Sequence, residues 1–333
     1  MPANTILITG VAGFLGSNLL GKLLDEGHRV LGIDNLSMGS MSNLYPHLQN
    51  PNFRFLKADA RDPATFDRIP EKISCSVHLA AYKIPRYGKA IDTLHVNYHC
   101  TDNVLRFARE RGCKCVLAST SDVYGRNPNV PFSEERSDCV IGDSQSPRWA
   151  YAVSKLFDEH LALAYQDAYG FPVVLLRFFG SYGPNQALSW WGGPPPVFID
   201  AVLNGTAIPI HGDGMQTRSF TYVSDTVQGI YEAVVKKEAN GQILNIGSAE
   251  EVTIVELANR IHKAAGRKGP ANIEFIPYES FTGKKYEDVR RRVPDTTFAK
   301  KILGFEARVS LDDGLKRTIA WQQEVTQQRS FGG

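Results

Sequence analysis

Short apolar runs alternate with helical segments over the first half of the chain. The first run, Ile6–Thr9, precedes a segment in which leucines recur at helical spacing, at Leu15, Leu19, Leu20, Leu23 and Leu24. Further runs typical of buried strands lie at 29–34, 53–57, 75–81, 114–118 and 172–178. Strands that alternate with helices favour a mainly parallel sheet with helices on both faces. We therefore predict an α/β fold with a doubly wound parallel sheet.

The pattern changes after Tyr182. Glycine and proline become dense, above all at 192–196, and the predicted helices are shorter. The sequence contains neither an internal repeat nor a low-complexity linker. We predict a discontinuous division, in which 1–183 with about 221–248 form the first domain. Residues 184–220 and 249–330 then form a smaller, mixed α/β C-terminal domain.

Composition and charge narrow the functional classes. The 333 residues are 43% apolar and 22% charged, which is ordinary for a globular protein with a sizeable core. The net charge is +2 without a sustained basic stripe, so no nucleic acid partner is expected. No apolar run has the length that crosses a bilayer, and no signal peptide is recognised. The prediction is a cytoplasmic protein without a membrane partner.

The cysteines predict free thiols rather than a metal site. They are odd in number and lack Cys-x-x-Cys spacing, and several lie in apolar, strand-like runs: Cys75, Cys100, Cys113, Cys115 and Cys139. Buried thiols in a reducing compartment fit this pattern better than disulfides do. We expect no metal.

A glycine-rich turn joins the first predicted strand to the first helix. Gly10, Gly13 and Gly16 let the backbone approach a pyrophosphate at the positive end of that helix. Asp34 lies roughly 20 residues further on, where a carboxylate accepts both ribose hydroxyls and repels a 2′-phosphate. The alternative is a tight turn without a ligand. The strand–turn–helix context and the acid favour a Rossmann-like sheet that binds NAD.

Tyr151 and Lys155 are four residues apart on a predicted helix, so their side chains share one face. A buried ammonium beside a phenol favours the phenolate and lowers its pKa. Such a Tyr can take a proton from a sugar hydroxyl while hydride leaves the same carbon. The alternative is an ordinary surface and core pair. Ser119–Tyr124 follow a strand nearby, at the edge where doubly wound sheets place active groups.

Several of these motifs together resemble the extended short-chain dehydrogenase/reductase family, and within it the nucleotide-sugar epimerases, dehydratases and decarboxylases. The motifs are the three glycines, Asp34, His78–Ala81, Asn97, Ser119-Thr120 and Tyr151-x-x-x-Lys155. The resemblance covers essentially the whole chain. It implies bound NAD and a homodimer formed through helices near 95–111 and 151–169. The remaining predicted cofactor contacts are Phe14, Leu15, Asn35, Asp59 (to the adenine amine), Ala60, Leu79, Ala80, Ala81 and Asn97.

The resemblance also implies a nucleotide-sugar substrate, most simply a UDP-sugar, held by the second domain. Arg218 corresponds to a diphosphate ligand, and Arg292 lies in a basic segment that closes over substrate. Gly180-Ser181 stands where relatives carry Asn at the substrate. We interpret Gly180 as opening space beside the sugar. Trp190-Trp191 is a lid, a packing hairpin or a subunit contact.

The common chemistry is transient oxidation at C4, with Tyr151, Lys155 and Thr120 around the hydroxyl and NAD recycled in place. Thr120-Ser121-Asp122 stands where decarboxylases and some dehydratases carry Thr-Ser-Glu. Pro147–Trp149 and 286–294 also resemble UDP-glucuronate decarboxylases, in which Arg148 and Arg292 would meet a uronate carboxylate. Arg148 stacking on Trp149, or pairing with an acid, is the alternative.

Decarboxylation of a UDP-hexuronate is therefore the favoured reaction. A 4-epimerase acting on a UDP-hexose or UDP-hexuronate comes next, and a 4,6-dehydratase third. A non-catalytic sensor that binds NAD or a sugar nucleotide is the alternative from another class. Such proteins generally lose Thr, Tyr or Lys at the catalytic positions, whereas Thr120, Tyr151 and Lys155 are all present here.

Overall fold

A computed structural model describes residues 4–83, 89–278, 280 and 288–331, with side chains as far as 327. The part of the basic segment at 286–287 that resembles the decarboxylases lies outside the described residues. Among the described residues, no helix combines the length and the apolar character needed to span a membrane.

The first six strands begin and end close to where the apolar runs predict, and eight more strands follow among the described residues. They are β1 (Thr5–Thr9), β2 (Arg29–Asp34), β3 (Phe53–Lys57), β4 (Cys75–His78), β5 (Lys114–Thr120), β6 (Val173–Phe178), β7 (Ser181–Tyr182), β8 (Ile208–His211), β9 (Thr217–Ser219), β10 (Thr221–Tyr222), β11 (Ile243–Ile246), β12 (Glu251–Thr253), β13 (Ile273–Ile276) and β14 (Arg291–Arg292). β5 continues two residues beyond the predicted strand, to Thr120. This extension carries Ser119 and Thr120 to the end of the sheet.

The helices alternate with these strands. They are α1 (Phe14–Asp25), α2 (Ala64–Asp67), α3 (Ala90–Arg111), α4 (Ala150–Tyr169), α5 (Pro194–Asn204), α6 (Val223–Val235), α7 (Ile254–Ala264), α8 (Thr297–Leu303) and α9 (Leu311–Phe331). The Thr253 hydroxyl accepts a hydrogen bond from the backbone N–H of Glu256, which caps α7.

The main sheet has seven strands in the order β11-β6-β5-β4-β1-β2-β3, and every neighbouring pair is parallel. Alternate residues of each strand belong to different cores. Ile6 and Ile8 pack into one hydrophobic cluster and Leu7 into another, because successive side chains point to opposite faces. α3 packs on α4, and α1 packs on α6. The prediction of a Rossmann-like, doubly wound sheet is confirmed.

Smaller sheets make up the rest of the chain. β13 pairs with β8, and β9 lies between β12 and β14. α5 and α7 pack together, and α9 contacts both. β11 returns to the main sheet beside β6. The exact domain boundaries remain a prediction.

A buried ion pair joins α4 to β6. The Arg177 guanidinium donates to the Glu159 carboxylate at 2.6 Å, and both side chains are almost fully buried. The Ser119 hydroxyl donates to the same carboxylate. Breaking a buried pair leaves an uncompensated charge, so these contacts fix α4 against the sheet. The cysteines are free thiols, and all but Cys139 are buried.

Candidate active site

A cleft of about 1450 Å³ runs along the carboxyl edge of the main sheet and is closed on its other side by the smaller sheets. It contains nearly all the residues that the sequence singled out. Those that line it are Gly10, Gly13, Phe14, Leu15, Gly16, Asp34, Asn35, Asp59, Ala60, Leu79, Ala80, Ala81, Thr120, Ser121, Asp122, Arg148, Tyr151, Gly180, Ser181, Arg218 and Arg292. Asn97 and Lys155 are not part of its wall.

The glycine turn forms one end of the cleft. α1 begins at Phe14, and no side chain caps its first turn at Gly13. A Cβ at Gly16 would lie 2.1 Å from the carbonyl oxygen of Gly10, so only glycine allows this close approach. The uncapped N-terminus presents backbone N–H groups and a partial positive charge, which suits a phosphate.

Asp34 lies at the end of β2, beside this turn. Its carboxylate accepts hydrogen bonds from the backbone N–H groups of Ala12, at 3.0 Å, and Leu36, at 2.8 Å. Burial raises the pKa of Asp34, and the two backbone donors oppose that shift. Each carboxylate oxygen can accept a further hydrogen bond, as a ribose would require.

Asp59 and Asn35 form the next part of the wall. The Asn35 amide donates to the Asp59 carboxylate at 3.0 Å, and Arg61 forms an ion pair with the same carboxylate at 2.6 Å. The Arg61 hydrogen bonds hold the pKa of Asp59 well below its usual range. Asp59 is therefore a fixed hydrogen-bond acceptor at this position.

Tyr151 and Thr120 meet in the middle of the cleft. α4 carries Tyr151 in its first turn, and β5 ends at Thr120. The Thr120 hydroxyl lies beside the Tyr151 phenol and favours its ionised form, which lowers the pKa of Tyr151. The Thr120 hydroxyl also accepts from the backbone N–H of Asp122 at 3.2 Å, which starts the turn that follows β5. Thr120, Ser121, Asp122 and Tyr151 all reach the cleft, as predicted.

The expected lowering of the Tyr151 pKa is not observed. Burial raises the pKa of Tyr151, the negative charge of Asp158 raises it further, and the Thr120 hydroxyl only partly opposes these effects. Lys155 is almost fully buried and donates to the Asp158 carboxylate at 2.8 Å. The ammonium that was expected to favour the phenolate is thus shared with a second anion.

Asn97 lies behind the cleft wall rather than in it. Its side-chain oxygen accepts from the backbone N–H of Tyr82 at 2.7 Å. Its amide donates to the Tyr82 carbonyl and, at 2.9 Å, to the Ser154 hydroxyl. Asn97 therefore fixes the backbone that follows Ala81. The direct cofactor contact of Asn97 stays a prediction.

Asp122 forms an ion pair with Arg292 across the cleft. β14 carries Arg292 alongside β9, in register with Arg218, so both cations reach the same region from neighbouring strands. The pair joins Asp122, which stands where decarboxylases carry Glu, to Arg292, one of the two arginines predicted to meet a uronate carboxylate. A carboxylate and a guanidinium in this contact stabilise each other's charged form.

Arg218 and Arg148 converge on one carboxylate. Arg218 donates to Asp288 at 2.7 Å and to the carbonyl of Val289, and Arg148 lies 3.8 Å from Asp288. Arg148 also stacks over the Trp149 ring, with its guanidinium carbon 4.5 Å from the ring centroid. Both alternative contacts that the sequence suggested for Arg148, an aromatic ring and an acid, are therefore present.

Trp190 and Trp191 form part of the cleft wall. Trp190 stacks on His211 with the ring centroids 4.5 Å apart, and Trp191 meets Tyr82 edge-on at 5.5 Å. Lys83 donates to the carbonyl of Trp191 at 3.3 Å. The segment thus contacts both the main-sheet side and the small-sheet side of the cleft, as a cover over a ligand would.

Gly180 lines the cleft but does not open space beside it. A Cβ at this position would lie 2.2 Å from the carbonyl oxygen of Ser219. The Gly180 carbonyl accepts from the backbone N–H of Thr221 at 3.0 Å, which holds the two segments together. The interpretation of Gly180 as room for a bulkier sugar is wrong, because backbone already fills that volume. The neighbouring Ser181 hydroxyl is within 2.9 Å of the Thr226 hydroxyl.

Sequence patterns did not indicate several groups in or beside the cleft. Asp288 and Tyr278 are joined by a hydrogen bond of 2.9 Å, and Trp321 reaches the cleft from α9. Asp158 is one turn beyond Lys155, a helical spacing that could have pointed to their ion pair.

Among the described residues, no group of three or more His, Cys, Asp or Glu side chains could hold a metal ion.

The sheet topology, the uncapped glycine turn and the acid after β2 define a dinucleotide-binding protein of the Rossmann type. Residues 7–318 match the family model described as GDP-mannose 4,6 dehydratase. The chain belongs to this family, which confirms the resemblance to the extended short-chain dehydrogenases/reductases.

Curated relatives and solved structures match over nearly the whole chain. A UDP-N-acetyl-alpha-D-glucosaminuronate decarboxylase of Bacillus cytotoxicus is 36% identical, over 96% of this chain and 98% of the relative. UDP-glucuronic acid decarboxylase 1 of Xenopus tropicalis is 34% identical, over 94% of this chain and 71% of the relative. A solved UDP-glucuronic acid 4-epimerase of Bacillus cereus, a tyrosine-to-phenylalanine mutant in complex with UDP-4-deoxy-4-fluoro-glucuronic acid and NAD, is 28% identical with a TM-score of 0.83. That comparison covers 96% of this chain and 99% of the other.

Replacing Gly180 by Ala should lower the free energy of unfolding by about 1–3 kcal/mol, because the added methyl group overlaps the Ser219 carbonyl. Urea unfolding followed by circular dichroism measures the change. Gly21→Ala is the matched control, since Gly21 lies within α1, its Cβ would make only an ordinary contact with the His47 ring, and Ala favours a helix. An unchanged stability in Gly180→Ala would contradict this interpretation of the site.

Proposed function

We propose that the chain is an NAD-dependent decarboxylase of a UDP-hexuronate. The observation that carries the proposal is the Asp122–Arg292 pair, which lies in the same cleft as Tyr151 and Thr120. The two decarboxylase relatives support it, because they act on UDP-linked uronates by name. The candidate sugars are glucuronate and its 2-acetamido counterpart.

NAD fits the residues at the glycine end of the cleft. The uncapped N-terminus of α1 would hold the pyrophosphate, and Asp34 would bind the adenosine ribose. Asp59 and Asn35 would contact the adenine. NAD is also present in the solved 4-epimerase structure. When bound there, NAD would supply reversible hydride transfer at C4 of the sugar, so none would be consumed.

Tyr151 is the base in this proposal. Its phenolate takes the proton of the C4 hydroxyl, and the Thr120 hydroxyl holds the same oxygen. Lys155 supplies positive charge behind the phenol. The resulting 4-ketone is β to the C5 carboxylate. The bond from C5 to the carboxyl carbon therefore breaks with its electron pair moving toward the ketone, and carbon dioxide leaves. C5 then gains a proton, and the ketone is reduced again.

The cations of the cleft bind the negative groups of the substrate. Arg218 is the proposed ligand of the diphosphate. Arg292 and Arg148 are the proposed contacts of the uronate carboxylate. Asp122 holds Arg292 before the substrate binds, so its role is to orient that guanidinium. Ser121 and Ser181 supply further hydroxyls at the cleft wall.

A UDP-hexuronate or UDP-hexose 4-epimerase is the second candidate, favoured by the solved UDP-glucuronic acid 4-epimerase of similar fold. It would use Tyr151 and Thr120 in the same way but leave the C5 carboxylate in place. A 4,6-dehydratase is the third candidate, supported by the description of the family model. Retention of Thr120, Tyr151 and Lys155 disfavours a non-catalytic sensor.

The proposal is tested by incubating the protein separately with UDP-glucuronate, its 2-acetamido counterpart and UDP-glucose. Each reaction is run in heavy water without added NAD, and its product is identified. We expect one uronate to lose carbon dioxide and take up one deuterium at C5, as mass spectrometry shows. Tyr151→Phe should give no product yet release NAD on denaturation.

Each of the other outcomes would assign a different activity to the chain. An unchanged mass with altered proton couplings at C4 would mean a 4-epimerase. Loss of water from UDP-glucose with deuterium uptake would mean a dehydratase. NAD released from a protein that converts none of the three compounds would overturn the decarboxylase proposal and favour the sensor.

We also propose a homodimer formed through α3 and α4. These helices pack together and leave large apolar side chains exposed on their outer surface, at Leu94, Tyr98, Val153 and Phe157. The Tyr98 and Phe157 rings are in edge contact at 5.7 Å, which makes the patch continuous from one helix to the other. A cytoplasmic location remains a prediction.

Phe157→Glu should convert the dimer to a monomer, because it places a charge in the centre of the apolar patch. Analytical ultracentrifugation measures the mass. Phe275→Glu is the matched control, since Phe275 is similarly exposed but lies on β13. A Phe157→Glu variant with the same sedimentation as the parent protein would exclude this interface.

A further inference from the structure

Asp158 is a buried acid that the proposed chemistry does not use. It lies on α4, three residues after Lys155, and accepts from the Lys155 ammonium at 2.8 Å. The exposed fractions of the two side chains are 3% and 2%. The other carboxylate oxygen of Asp158 is buried without a hydrogen-bond partner. Burying two charges is costly, so a pair at this position needs a reason beyond fold stability.

The charged and titratable groups around this pair are neutral or already paired. From β4, burial lowers the pKa of His78 to about 3, and the Lys155 charge adds to that shift. From α3, burial raises the pKa of Cys100 to about 12. Glu159, next to Asp158 on α4, is paired with Arg177 of β6.

Two further interactions complete these surroundings. Beyond Cys100, Asp59 is paired with Arg61. The hydroxyl of Thr101 on α3, which is hydrogen-bonded to His78, favours the charged form of Asp158 and so lowers its pKa. Within the described part of the chain, the titratable group that remains beside the Lys155–Asp158 pair is the Tyr151 phenol, which the Asp158 charge reaches.

We propose that Asp158 is a positioning residue of the active site, which takes up the charge of the Lys155 ammonium and so sets the pH at which Tyr151 can accept a proton. The inference rests on the proposed role of Tyr151 as base. Asp158 itself contacts neither the cleft nor a reacting atom, since it is absent from the cleft wall.

The sign of the effect follows from the charges. With Asp158 ionised, an ammonium and two potential anions share the site, so loss of the Tyr151 proton creates a net negative charge. Without the Asp158 charge, the same loss creates a neutral phenolate–ammonium pair. Burial raises the pKa of Asp158, but the Lys155 ammonium opposes this and favours the carboxylate. The Asp158 charge accordingly raises the pKa of Tyr151, and removing it should lower that pKa.

Asp158→Asn tests the proposal because it removes the charge and keeps the shape. The Cζ chemical shift of isotope-labelled tyrosine, assigned by its loss in Tyr151→Phe, reports the phenol directly in the folded protein. We expect the Tyr151 phenolate to appear in Asp158→Asn at a pH lower by at least roughly one unit than in the parent protein, the low end of what a buried neighbouring charge produces. This measurement needs no turnover, so it stands or fails separately from the proposed reaction.

Activity gives the second readout. The acid limb of the kcat profile of the NAD-loaded enzyme should move to lower pH by the same amount in Asp158→Asn. Asp167→Asn is the matched control, because it makes the same charge change on an exposed position of α4. Asp158→Glu, which restores the charge, should return the profile toward that of the parent protein.

Two results would overturn the proposal. One is a Tyr151 signal that titrates in Asp158→Asn at the same pH as in the parent protein, or at a higher one. The other is an equal shift in Asp167→Asn, which would show a general charge effect. A loss of stability without a change in the titration would leave Asp158 a purely structural residue and would equally contradict the inference.

Discussion

The parallel pairing of the seven-stranded sheet is the constraint on which the site depends. Because every strand runs in the same direction, the groups that follow β1, β2 and β5 emerge at one edge. The glycine turn, Asp34 and Thr120 are distant in sequence yet face one cleft. The buried Arg177–Glu159 pair then fixes α4 against β6, which sets the position of Tyr151 at the start of the same helix.

Charge pairing within the chain is the second constraint on the site. The guanidinium groups that reach the small-sheet side of the cleft contact the carboxylates Asp122 and Asp288. A substrate that brings a diphosphate and a uronate carboxylate must share or displace these partners, so its affinity is a difference between two sets of ion pairs. Behind the cleft, Lys155 is paired in the same way with Asp158. The electrostatics of the site thus depend on acids whose partners lie far along the chain or deep in the core.

Local patterns were sufficient for the fold and for most of the cleft wall. Apolar runs and the glycine spacing depend on neighbours in sequence, and they predicted the sheet, the turn and the position of Asp34 at the end of β2. Gly180, Asn97 and Asp288 depend instead on contacts across the fold. The clash at Gly180 comes from Ser219, and the partner of Asn97 is the Tyr82 backbone. The raised pKa of Tyr151 has a similar origin, since it follows from desolvation and from a buried acid that no motif marks.

The proposed reaction passes through oxidation at C4. Rapid mixing of the NAD-loaded protein with UDP-glucuronate, or with its 2-acetamido counterpart if that is the one decarboxylated, tests it directly. We predict a transient absorbance of reduced nicotinamide that decays as carbon dioxide is released. Deuterium at C4 of the substrate should slow the rise of that signal, because the transferred hydride is then heavy. Carbon dioxide release without a transient, and with no isotope effect, would contradict oxidation at C4.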